Sequence, residues 1–92
     1  NNAPSETASL GKFALAQVYA AQSKTAEAEK LLRSIMDKPT EFVSKDQATL
    51  TLGRLLMKSK PDEAKKLLEP LRTASPAVSR AAVIALSGEE SN

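Results

Sequence analysis

The side chains of this sequence that can carry acid–base chemistry are eleven Asp and Glu and thirteen Lys and Arg; histidine and cysteine are absent. Without those two residue types the common nucleophile–base pairs have no members, and imidazole or thiolate metal sets cannot form. Paired-carboxylate catalysis remains chemically open, because it needs only two acids held in unlike environments. The acids here, however, stand near helix starts beside lysines, as Glu27, Glu29, Asp62 and Glu63 do. That is the pattern of a solvated helix face. Gly11, Gly53 and Gly88 are isolated, so there is no glycine-rich phosphate loop. The sequence therefore predicts a non-enzyme, with no catalytic residue, no metal and no cofactor.

The totals agree with a binding or structural role. Ninety-two residues make one domain, 1–92, that buries roughly 60–65% of its extended surface. Hydrophobic residues are 41% and charged residues 26%, which excludes a disordered chain. Ala, Leu, Glu, Lys and Arg dominate, and Phe13, Tyr19 and Phe42 are the only aromatics, so helix is favoured over strand. A net charge of +2, with both signs interleaved, predicts no nucleic-acid partner. No apolar run approaches the ~18 residues of a membrane helix, so no membrane contact is expected within this stretch. The first residues, NNAPSETASL, carry neither an initiator Met nor a signal-peptide pattern. The expectation is a mature product or a fragment of a longer chain. Without cysteine, the redox compartment stays open.

Five helices and no strand are predicted. The first runs from about Ser5 to Gln22, with Ala8, Leu15, Ala16, Val18, Tyr19 and Ala20 on a broad apolar face. The second runs from about Thr25 to Asp37; Ala28, Leu31, Leu32 and Ile35 fall at i, i+3, i+4 and i+7. Glu29 and Arg33 form an i,i+4 pair on its other side. Pro39 stops it. Ser44 and Gln47 have the spacing of a capping box and open the third helix, which continues to about Lys58. The fourth starts at Pro61 and repeats the stripe with Ala64, Leu67, Leu68 and Leu71, although Pro70 should kink or fray its last turn. The fifth runs from Pro76 to Leu86 and is closed by Gly88 as a left-handed cap. The tail EESN is expected to fray.

The second and fourth helices are near copies. TAEAEKLLRSI at 25–35 corresponds to PDEAKKLLEPL at 61–71. The helices before them also match, one residue out of step: Leu15 with Leu52, Ala16 with Gly53, Tyr19 with Leu56. The unit is a helix pair used twice, with an extra residue in the first internal turn. A short turn makes the pair antiparallel, and so small a pair must stack on another to bury its apolar face. Gly53 costs roughly 1 kcal/mol against Ala in mid-helix, which predicts a contact too tight for a methyl group.

Leu-Ala-x-x-Tyr at 15–19, followed by Ala28 and Leu32, resembles the tetratricopeptide repeat (TPR). So does Leu-Gly-x-x-Leu at 52–56, followed by Ala64 and Leu68. The resemblance covers about residues 8–86. It implies an all-α, TPR-like α-α superhelix of about five helices. Repeat one would span about 8–39, repeat two about 44–73, and a C-terminal capping helix about 76–87. The chain departs from the pattern in its 36–37-residue period, in Leu56 where an aromatic is usual, and in Lys12 and Thr49 at the tryptophan-like position. The phrases QSKTAEAEKLLRSIMDKPT and SKPDEAKKLLEPL further resemble the C-terminal part of bacterial membrane-anchored TPR-like envelope proteins associated with the Sec translocon and periplasmic chaperones. That likeness implies a bacterial periplasm or cell-envelope location.

The resemblance also implies a function. It predicts a protein–protein interaction scaffold that binds a partner protein or peptide on a concave face lined by the first helix of each pair. Carried over residue by residue, the groove positions are Phe13, Gln17 and Ala20, then Leu50, Arg54 and Met57. Leu50, Arg54 and Met57 form a stripe separate from Leu52, Leu55 and Leu56. Two readings of that stripe stand: an adaptable Met-plus-Arg binding surface, or Leu50 and Met57 packing against the first pair or the fifth helix. The alternative function is an assembly element, in which the open first helix continues a larger TPR array or pairs with a second copy by self-association.

Overall fold

A computed structural model describes residues 4–41 and 43–88, with side chains from residue 8 onward. The described residues contain no strand. The helices are α1 (Pro4–Ala21), α2 (Thr25–Asp37), α3 (Lys45–Leu56), α4 (Pro61–Leu68) and α5 (Pro76–Ser87). A 3-10 helix, Glu69–Thr73, follows α4. The expected fraying of EESN lies outside the described residues.

Local chemistry sets the ends. Ser44 Oγ accepts from the Gln47 amide at 3.0 Å and caps α3. Pro61 and Pro76 each occupy the first turn of their helices, where a missing N–H costs nothing. Gly88 closes α5 at φ 80°, in the left-handed region. Pro70 does not merely fray α4. The helix stops at Leu68 and the chain tightens into the 3-10 turn, which leaves Leu71 buried. The third helix ends at Leu56, two residues before the expected Lys58.

The extra residue of the first internal turn has a definite place. The amide of Lys24 donates to Tyr19 O at 2.8 Å and that of Ser23 to Ala20 O at 3.1 Å, while Ser23 takes φ 63°. These two bonds around a left-handed residue form a Schellman motif, with serine where glycine is usual. In the second pair Lys60 N–H bonds Leu56 O directly at 2.7 Å, and no left-handed residue is used.

Helix α1 packs on α2, α2 on α3, and α3 on α4; α5 lies against the 3-10 turn, α3 and α4. Copied positions share one environment. Ala28 and Ala64 are buried, as are Leu32 and Leu68, and Ile35 and Leu71. One cluster joins Ala16, Leu32, Leu52, Leu56 and Ala64; a second joins Leu68, Leu71, Ala82 and Ala85; a third joins Ile35, Val43 and Ala48.

The broad apolar face expected on α1 is only partly covered. Ala16 is buried, but Ala8 is exposed, and Leu10, Leu15 and Val18 are 46%, 42% and 49% exposed. Leu52, the counterpart of Leu15, is wholly buried. The reason is neighbours. Helix α3 is enclosed by α2, α4 and α5, whereas α1 packs chiefly on α2.

Candidate functional site

Helices α1 and α3 both pack on α2 but barely touch each other. The space between them is a cleft of about 380 Å³. Ala16, Gln17 and Ala20 of α1 form one wall, and Thr51, Arg54 and Leu55 of α3 the other. Leu32 of α2 forms the floor. The small side chains at 16 and 20 keep the first wall low, which is what leaves room. Leu32 is only 1% exposed, so it is anchored in the core beneath the cleft and fixes the position of α2 under the two walls.

The six groove positions drawn from the sequence divide evenly. Gln17, Ala20 and Arg54 line the cleft. Phe13 does not; it packs against the Leu32 cluster and the Ile35–Val43–Ala48 cluster. Leu50 and Met57 lie against Leu68, Leu71, Ala82 and Ala85, beneath α5. Met57 also packs against the cluster of Ala16, Leu32, Leu52, Leu56 and Ala64, so it touches both the core shared with the first pair and the fifth-helix cluster. The face of α3 turned to the cleft is Thr51, Arg54 and Leu55, at i, i+3 and i+4. Ala16, Leu32, Thr51 and Leu55 are cleft residues that the sequence pattern did not single out. The available signal was the pairing of Ala16 with Gly53, since a small residue on a first helix marks where a neighbouring surface is left open or closely approached.

Arg54 is the one residue with an ionised side chain among the described residues of the lining. The Thr51 hydroxyl donates to Gln47 O at 2.9 Å. The arrangement offers an apolar floor, a guanidinium and an amide at the rim, and no pair of groups placed for proton transfer.

The acids lie elsewhere. Arg33 Nε of α2 donates to Glu29 at 2.9 Å, and its Nη2 reaches Glu63 of α4. Lys60 Nζ closes the set on Glu29 at 3.4 Å. The Arg33 hydrogen bond, with a further contribution from Lys60, holds the Glu29 carboxyl below its ordinary value of 4.5 against the opposing effect of burial. This network ties the two helix pairs together at α2 and α4. Among the described residues no cluster of acids is arranged to hold a metal ion, and no helix is long and apolar enough to cross a membrane.

Compared with family models, with curated proteins and with solved structures, the chain matches none.

Proposed function

We propose that this chain is a non-enzymatic, TPR-like interaction scaffold that binds a segment of a partner protein in the cleft between α1 and α3. One observation carries the reading: two first helices stand apart over a buried apolar floor, Leu32, with Arg54 and Gln17 at the rim. A cleft of this size and lining suits one or two apolar side chains flanked by hydrogen-bonding groups. The duplicated helix pair and its burial pattern support the TPR-like class, in which first helices line the binding face. Capture of partners on the immobilised chain, compared with Ala20→Trp and Arg54→Glu, tests it. Ala20→Trp should fill the cleft and abolish capture. Undiminished capture by both variants would remove the cleft from the function.

A second reading rests on a different observation. Leu10, Leu15 and Val18 leave an apolar face uncovered on the outer side of α1. Helical repeats cover such faces by stacking a further unit. In this reading α1 is the joint to another helix pair, within a longer array or in a second copy. Light scattering across a range of concentrations separates these forms, since only the second copy gives a mass that rises with concentration.

A further inference from the structure

A second hollow, of about 210 Å³, lies where the early turns of α1 meet the end of α2 and the loop after it. It is large enough for several water molecules. Among the described residues its polar lining is Ser9, Lys12, Ser34, Lys38 and Thr40, with no carboxylate among them. Lys12 Nζ donates to Ser34 Oγ at 3.0 Å, so the Ser34 oxygen is used as an acceptor and its own proton is left to give. Ser9, 4% exposed, shares a 2.7 Å hydrogen bond with Thr40, and Thr40 Oγ1 accepts from the Val43 amide at 3.3 Å. Neither Lys12 nor Lys38 has an ion pair among the described residues. Asp37 and Glu41 are close in sequence but lie outside the lining.

Among the side chains of the described lining, donors exceed acceptors. Two ammonium groups, with three N–H each, and the Ser34 hydroxyl proton stand against the hydroxyl oxygens of Ser9, Ser34 and Thr40. The end of α2 does bring negative potential, but a helix terminus carries only about half an elementary charge. Two full cations outweigh it. We propose that this hollow is a binding site for a small oxyanion of the phosphate or sulfate class, held by Lys12 and Lys38 with the Ser34 hydroxyl donating. The site is separate from the α1–α3 cleft and does not depend on its role.

Titration of the ¹⁵N-labelled chain with inorganic phosphate, at ionic strength held constant with chloride, tests this. Amides around Ser9, Lys12, Ser34 and Thr40 should shift together and saturate with one dissociation constant. Lys12→Gln and Lys38→Gln should each weaken binding about fivefold, the effect of one charge lost at close range in water. Lys65→Gln, on α4, should leave it unchanged. Both lysines are exposed, and the Lys38 side chain makes no bond among the described residues, so Lys38→Gln decides the matter even where Lys12→Gln perturbs α1. Shifts that grow without saturating, or equal affinity in wild type and Lys38→Gln, would overturn the site.

Discussion

A methyl group built on Gly53 would stand 2.5 Å from Cγ of Leu68. Helices α3 and α4 therefore meet at a distance that only glycine allows, and they meet at a leucine that is itself fully buried. Cγ is a branch point rather than a flexible end, so relief requires moving the whole side chain. Gly53→Ala should lose up to about 2 kcal/mol: overpacking costs roughly 1–3 kcal/mol, and the better helix propensity of Ala returns about 1 kcal/mol. Leu68→Ala alone should cost about 2–5 kcal/mol. In the Leu68→Ala background, Gly53→Ala should become neutral or stabilising, and that change of sign is the coupling a double-mutant cycle in urea would measure.

Ser23 adopts φ 63° in the turn between α1 and α2. A left-handed L-residue is strained by roughly 1–2 kcal/mol, while glycine is not. Part of that gain is offset by the greater backbone freedom of glycine when unfolded. Ser23→Gly should raise stability by about 0.5–1 kcal/mol and shift the thermal midpoint upward. A midpoint that falls would mean the serine side chain holds the turn in a way its backbone does not.

The Arg33–Glu29–Lys60 network makes stability depend on acid. The folded-state pKa of Glu29 lies below 4.5, chiefly because Arg33 hydrogen-bonds the ionised form. The stabilisation is therefore complete above about pH 4.5 and is lost as pH falls through the lower folded value. Glu29→Gln should be less stable than wild type near neutral pH. The difference should shrink once the solution is acid enough to protonate Glu29. Added salt, on the order of 0.5 M, should also reduce it, because Arg33 and Lys60 remain partly exposed. Paired thermal melts across pH give the comparison.

Leu15 and Leu52 hold the same place in the two copies, yet one is 42% exposed and the other wholly buried. Leu52→Ala should cost about 2–5 kcal/mol. Leu15→Ala should stay within about 1 kcal/mol in the monomer. Equal losses would mean that the outer side of α1 is covered in solution, and a matching drop in molecular mass for Leu15→Ala would identify a second copy as the cover.

The elements were legible because their signals are local. The stripes of α2 and α4, the Ser44 cap, the proline starts and Gly88 each act within a turn or two. So was the tight approach at Gly53, since glycine weakens a helix interior and a close helix–helix contact is what offsets that loss. The cleft was only half legible. Leu50 and Met57 read as a stripe of their own, but the rotation of α3 is decided by which side α5 covers, and α5 takes that side. Leu15 and Val18 read as core because they are apolar, yet apolarity does not show whether a neighbour is present. Lys12 and Lys38 lie 26 positions apart and converge only because the α1–α2 pair folds back on itself.

A photo-crosslinking residue placed at Thr51, in the cleft, or at Lys66, on the exposed side of α4, tests partner binding most directly. Irradiation in extract from the source cell should give a discrete protein adduct from position 51, lost when Ala20→Trp is added, and none from position 66. Adducts from position 66 with none from 51, or a position-51 adduct indifferent to Ala20→Trp, would contradict binding in the cleft.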